Sequence, residues 1–352
     1  MMTTAAQQKL RVSREGISLL EVIISIGVIS IGLLGVLSVL PLAGRRVVQG
    51  SIEDGKSMQG QAWTDEFQTR GYADPNSWVT SAGAALPPGG TPTPVLIDPH
   101  HVAVRRALGT PVDFPFTDRD NDISTNEAPF SIPRISVRNS LTGPPLDLMA
   151  ANLIFTSQND LVFSQPADTK LPPVQEMYDA VISNRRMSAG HFSWMAMIVP
   201  LDSSGKDWRL SVVVFHDRDP DMSLDASPAN DDGLKTLSNE RVATVSNFMG
   251  NAGIGGGPME IRSTDKASVK VKKGDWVLLS SGGAPTSFHQ WYRVADTDPD
   301  PVNTAGVFTR EVLLEGADWP SPGIGTTSMT MVKGVVGVYE STFRLETNSL
   351  FH

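Results

Sequence analysis

The chain has 352 residues, a net charge of −9 and no cysteine, which excludes disulfides, thiol catalysis, thiolate metal sites and iron–sulfur clusters. With 40% hydrophobic residues the chain can build a core without such staples. The acidic balance, with no basic cluster longer than Lys270, Lys272 and Lys273, argues against extended electrostatic binding of DNA, and no nucleic-acid partner is expected.

The first element in chain order is an apolar run, Ile17 to Ala43, that holds one charge, Glu21. As an α-helix this run would extend roughly 40 Å, against about 30 Å of bilayer hydrocarbon, so it is long enough to span. A carboxylate in such a segment is costly unless a cation or donor meets it. Nothing within the run can do so. Lys9, Arg11 and Arg14 precede it and Arg45 and Arg46 follow it, a balance that favours an N-terminus inside and an exported bulk after residue 46.

The sequence around this acid is Arg14-Glu15-Gly16-Ile17-Ser18-Leu19-Leu20-Glu21-Val22-Ile23. It resembles the prepilin cleavage and methylation signature of type IV pilins and type II secretion pseudopilins. The resemblance covers the chain only to about residue 45. It implies that a prepilin peptidase cuts after Gly16, that the new amine of Ile17 is methylated, and that Glu21 is met by a terminal ammonium, its own or a neighbouring subunit's, during assembly. Such pairing is electrostatic and is made in low dielectric. Major pilins usually begin with phenylalanine, where this chain has Ile17, as minor members can. The pattern of Gly27 and Ile31-Gly32-Leu33-Leu34-Gly35 is similar to the minor-pilin branch.

The implied partners are the prepilin peptidase, other pilin or pseudopilin subunits, an inner-membrane assembly platform and membrane lipid. The implied location is a single pass of the inner membrane, with the N-terminus cytoplasmic and the bulk periplasmic or extracellular in a filament. Two plainer readings fit less well. A cleaved secretory signal needs a shorter apolar core and a small-x-small site, of which Leu40-Pro41-Leu42-Ala43-Gly44 is a poor example. An ordinary single-pass anchor has no use for Glu21.

Beyond the span, Val48 and Ile52, then Met58, Trp63 and Phe67, continue a helical period to about Arg70, with Gly71 as the stop. Pro41 predicts a kink. Gly44, Gly50, Gly55 and Gly60 each weaken helix propensity by nearly 1 kcal/mol, so the outer half needs a sheet to lie against. The expected organisation is a leader over 1–16, a transmembrane and assembly helix over 17–43, its extracytoplasmic continuation over 44–72, a loop-rich segment over 73–190 and a β-rich region over 191–352.

The loop-rich segment contains the linker-like Leu86-Pro87-Pro88-Gly89-Gly90. It has two candidate edge strands, Val95–Ile97 and Ile132–Val137, the latter interrupted by Pro133, and a candidate short helix, Met177–Arg186. The strongest strand signal is Phe192–Val199 and Asp207–Phe215 around the turn-forming Asp202–Lys206, a long hairpin apolar on both faces. The N-terminal helix is its expected cover. After a polar excursion from Asp217 to about Asn239, strands are expected at Trp276–Ser280, Gln290–Ala295, Val307–Leu314 and Met329–Tyr339, as an antiparallel meander. Lys273-Gly274-Asp275-Trp276-Val277 is similar to the opening turn of small β-barrels. The fold class is therefore α+β: a long N-terminal membrane-spanning helix on an antiparallel pilin-like sheet, with an additional C-terminal antiparallel meander.

Three acidic triplets are candidate metal loops: Asp118, Asp120 and Asp122; Asp217, Asp219 and Asp221; Asp296, Asp298 and Asp300. Alternating carboxylates can converge on one hard cation, so calcium is the one candidate cofactor, best placed at Asp118, Asp120 and Asp122. That loop lacks the glycine and glutamate of an EF-hand, and a solvated acidic turn is the competing reading. His100-His101 reads as surface loop. His191, His216 and His289 read as structural groups at strand ends. Gly250 to Gly257 reads as a flexible loop. Trp63, Trp194, Trp208, Trp276 and Trp291, with Met195 and Met197, fit core packing better than a ligand platform.

No catalytic constellation is visible, with no Gly-x-Ser-x-Gly, Walker loop or His-Glu-x-x-His, and no enzymatic activity is expected. The expected role is that of a minor pilin-like or pseudopilin-like structural subunit. The alternative is a single-pass anchored periplasmic binding module, calcium-dependent or not, that does not polymerise.

Overall fold

One helix, α1 (Leu19–Thr69), is the first element among the described residues, with Pro41 inside it. The computed structural model describes residues 18–86, 92–108, 113–116, 128–138, 143–157, 191–202, 205–218, 240–249, 255–282, 287–319 and 327–345. The chain divides into two units, Met1–Ile52 and Glu53–His352. In the first, the large apolar side chains named from Leu19 to Leu40 are 43–81% exposed. This helix is long and apolar enough to cross a membrane.

In the second unit, α1 ends in a Schellman cap. Gly71 has φ 70°, its N–H donates to the Gln68 carbonyl at 3.0 Å, and the Tyr72 N–H donates to Phe67 at 3.1 Å. Tyr72 also meets Phe67 edge-on at 6.1 Å, the apolar contact that accompanies this cap. Gly71 is thus the stop that its conformational freedom predicts.

The remaining elements are β1 (Trp78–Val79), β2 (Val95–Ile97), α2 (Pro99–Leu108), β3 (Arg134–Val137), α3 (Leu148–Phe155), β4 (Phe192–Pro200), β5 (Asp207–His216), β6 (Glu240–Phe248), β7 (Gly256–Ser263), β8 (Trp276–Ser281), β9 (Phe288–Thr297), β10 (Val302–Thr304), β11 (Val307–Glu315), β12 (Thr327–Val332) and β13 (Val335–Arg344). They form two sheets. The first is open, in the order β1-β3-β2-β4-β5-β13, antiparallel except for the parallel pair β2–β3.

The second sheet closes on itself. Its ring runs β6–β7–β11–β9–β8–β12 and back to β6, every pairing antiparallel. The short β10 adds to β11 as a hairpin. Met259, Ile261, Val277, Tyr292, Val312 and Met329 fill its interior, as side chains fill small barrels. The fold is α+β, but the region expected as an antiparallel meander forms a six-stranded barrel, and the sheet facing the helix is mixed.

Alternation along β4 explains the layering. Trp194 stacks on Trp63 of α1 at 6.0 Å and on Phe155 of α3 at 4.5 Å, while on the same face Phe343 of β13 meets Phe67 at 5.5 Å. Met195, Met197 and Val199 point the other way and share a core with Leu278 and Trp291 of the barrel. The central strands are apolar on both faces because both are covered. The helix is one cover and the barrel is the other.

Close packing uses two helix glycines. A Cβ at Gly60 would lie 2.0 Å from the Tyr339 ring, and one at Gly55 would lie 2.7 Å from Phe192. Tyr339 is anchored there, its hydroxyl donating to the Lys56 carbonyl at 2.9 Å.

Several expectations change. Val95–Ile97 is no edge: β2 lies between β3 and β4 and is wholly buried. Nor is β3 an edge: it lies between β1 and β2, and Pro133, which precedes it, contributes only a carbonyl, which accepts from the Leu96 N–H at 2.9 Å. The expected strand Met329–Tyr339 is two strands, β12 in the barrel and β13 in the open sheet, divided at Gly334 with φ 87°. Strands β6 and β7 fall in a stretch where no strand was expected, after the polar excursion, and β7 begins at Gly256 inside the glycine run read as a loop. Pro87 to Gly90 and the candidate helix Met177–Arg186 lie outside the described residues.

Candidate functional site

Of the residues in the cleavage signature, Gly16 and Ile17 lie outside the described residues, and Glu21 stands in the first turn of α1 with its side chain exposed. Ser18 caps that turn, its hydroxyl accepting from the Glu21 N–H at 3.2 Å. Ser18-Leu19-Leu20-Glu21 has capping-box spacing, and an acid in the first turn also meets the positive end of the helix dipole. Glu21 therefore has a local role at the helix start that the sequence reading did not give it. The cap saturates a backbone donor and leaves the carboxylate outward, free to meet a cation from elsewhere.

A second concentration of charge is buried between the open sheet and the barrel. Asp98, just before α2, is chelated by Arg218, whose two terminal nitrogens donate at 3.0 and 2.5 Å. Arg134 of β3 lies 3.6 Å from Asp98 and donates at 2.5 Å to Glu240, the first residue of β6. The other Glu240 oxygen accepts from the Phe116 N–H at 2.7 Å. Burial works against ionisation of Asp98, but Arg218 and Arg134 outweigh it and hold the carboxyl well below its usual range. Two guanidinium groups stand against two carboxylates, beside the rings of Phe114 and Phe215. The cluster is a charge-balanced clamp of the kind that loses most when one partner is removed.

His100 and His101 are not in a surface loop. They occupy the first turn of α2 and are buried. The reason is legible in Asp98-Pro99, an N-cap residue followed by proline at the first helical position. Burial pushes the His100 imidazole down to about 4, with Arg218 adding to the shift. His289 is buried against Ser280, 2.9 Å from its hydroxyl, and is pushed down to about 3 by burial and by Arg209. It is the structural strand-end group expected.

The candidate calcium residues Asp118, Asp120 and Asp122 lie outside the described residues, as do Asp219 and Asp221 of the second triplet. Asp296, Asp298 and Asp300 are exposed at the end of β9 and in the turn after it. There the backbone carbonyl of Asp298 accepts from Arg310 at 2.8 Å. Among the described residues, the one group of three potential ligands close enough to share an ion is His191, His216 and Asp217. Sequence reading placed His191 and His216 at strand ends and Asp217 in the second acidic triplet, but did not bring them together. Trp63, Trp194, Trp208 and Trp291 are core residues, with Met195 and Met197.

No protein-family model matches the chain, and no curated protein matches it.

Proposed function

We propose that the chain is a minor pilin-like or pseudopilin-like structural subunit, cut by a prepilin peptidase after Gly16 and assembled through its N-terminal helix into a type IV pilus or secretion pseudopilus. The observation that carries this reading is the inner part of α1. Among the described residues its large apolar side chains from Leu19 to Leu40 are all exposed, and the one acid among them stands in the first turn. Apolar surface on that scale needs lipid or other subunits around it. Before assembly lipid covers it, with the N-terminus cytoplasmic and the Glu53–His352 unit exported. During assembly neighbouring helices replace lipid, and Glu21 meets an ammonium at Ile17. The activity is assembly, with no bond made or broken by this chain.

Two measurements test the reading. Mass spectrometry of the chain recovered from its native membrane should show an N-methylated Ile17 as first residue. An intact Met1 would point to a plain anchor. Glu21→Ala and Glu21→Gln should both leave leader removal intact and lower incorporation into filaments. Glutamine can still serve a capping box, so the second variant separates charge from helix capping. Full incorporation of Glu21→Gln would contradict the electrostatic role.

A further inference from the structure

The hairpin of β4 and β5 ends in a cluster that neither its packing nor the assembly reading uses. His191 precedes β4, His216 closes β5 and Asp217 follows it. Phe192 and His216 are cross-strand partners, and the Asp217 N–H donates to the His191 carbonyl at 2.7 Å. On a regular strand the side chains of His216 and Asp217 would point to opposite faces. They do not, because Asp217 has φ 49°, a left-handed conformation that aspartate tolerates better than most side chains. This backbone turn swings the carboxylate between two imidazoles: Nδ1 of His191 is 2.7 Å from one oxygen and Nδ1 of His216 is 3.2 Å from the other.

The two rings lie nearly parallel, 5.7 Å apart, and Phe192 packs edge-on against His216 at 5.1 Å, fixing its orientation. The side chains remain open to solvent, 55%, 23% and 63% exposed for His191, His216 and Asp217. All three ligand atoms lie within 4.8 Å of one another. Tetrahedral zinc with bonds of about 2.0–2.1 Å sets its ligands about 3.3 Å apart.

We propose that His191, His216 and Asp217 form a binding site for a divalent transition metal of the zinc class. Two imidazoles and one carboxylate are ligands for such an ion, whereas calcium prefers six to eight oxygens. Three protein ligands leave the fourth tetrahedral position to water or to a group from another molecule. The ion joins the chain entering β4 to the chain leaving β5, tying the hairpin at the end opposite its turn. The site does not depend on leader cleavage or on polymerisation.

The test uses the full chain without a histidine tag, purified in detergent and stripped of metal, with zinc titrated against a chromophoric chelator. One zinc per chain is expected, and cobalt in its place should give the visible absorption of a tetrahedral site. His191→Gln and Asp217→Asn should each weaken binding at least about tenfold, since loss of even an outer-shell partner costs that much. Asparagine also tolerates the left-handed backbone, so Asp217→Asn should keep the wild-type melting temperature without metal. No zinc bound at submillimolar free ion, or unchanged affinity in both variants, would overturn the proposal and leave the cluster as a hydrogen-bonded triad.

Discussion

The two parts of α1 are one helix and two kinds of sequence. From Leu19 to Leu40 the apolar residues fall on every face, and among the described residues all the large ones are exposed. From Glu53 to Thr69 the buried positions reduce to a stripe, Gln59, Gly60, Trp63 and Phe67, at the three- and four-residue spacing of one helix face. The difference teaches where each partner comes from. A stripe is matched to one surface, here the aromatic face of the open sheet within the same chain. A helix apolar all round has no preferred face, and its complement must surround it.

The largest effect should come from breaking the stripe. Trp63→Ala removes a ring stacked on Trp194 and is expected to lower stability by about 3–5 kcal/mol, the usual cost of deleting a buried aromatic. Chemical unfolding of the detergent-solubilised chain, followed by tryptophan fluorescence, would measure it, since the other tryptophans all lie beyond residue 63. A loss below about 1 kcal/mol would mean that the outer half of α1 is not held by the sheet.

Acid should separate the two parts next. Glu21 is the one titratable group between Leu19 and Leu40, whereas the Glu53–His352 unit buries His100 and His289 in neutral form. Their imidazoles titrate at about 4 and about 3, against about 6.5 in the unfolded chain. Below about 6.5 the unfolded state takes up protons that the folded state refuses, so stability present above that pH is lost as pH falls toward 4 and then 3. By about pH 5 the loss is on the order of 2 kcal/mol for each histidine. Asp98 extends the decline to lower pH, because its depressed carboxyl stabilises the fold above the unfolded value near 4 and ceases to as it protonates. His289→Asn should flatten the fall of melting temperature between pH 7 and 5. An unchanged slope would mean that His289 is not held neutral by its burial.

The same contrast governs what was legible in the sequence. Local signals read well: the apolar run, the Gly71 stop, and the β4–β5 hairpin with its two apolar faces. What failed was long-range. Glu240 and Arg134 stand more than a hundred residues apart, and no pattern near either announces the other. Closure of the barrel depends on β11 pairing with both β7 and β9, a tertiary fact that strand spacing does not encode. Strands β6 and β7 were missed although Val242 to Val245 and Met259 to Ile261 carry apolar residues, because charged residues and glycines beside them dominate their windows. His100 and His101 were misplaced for a different reason: the Asp98-Pro99 cap was there to be read. At the candidate assembly site, Glu21 was visible at once as an acid in an apolar run, while its capping geometry needed the backbone.

The smallest expected effect uses one substitution at two places in the same helix. Alanine is favoured over glycine in a helix by nearly 1 kcal/mol. At Gly44 nothing lies within 4 Å of the added Cβ, so Gly44→Ala should stabilise the helix by up to that amount and leave unfolding of the Glu53–His352 unit unchanged. At Gly60 the same methyl meets the Tyr339 ring, which its hydrogen bond to Lys56 keeps in place. Overpacking of this kind costs about 1–3 kcal/mol, which exceeds the propensity gain, so Gly60→Ala should destabilise by on the order of 1 kcal/mol. The sign separates the two parts of the helix more sharply than the size does. If Tyr339→Leu removes the obstacle, adding Gly60→Ala to that variant should recover the gain seen at Gly44. A Gly60→Ala chain that is as stable as Gly44→Ala without that relief would show that the ring does not rest on the helix backbone.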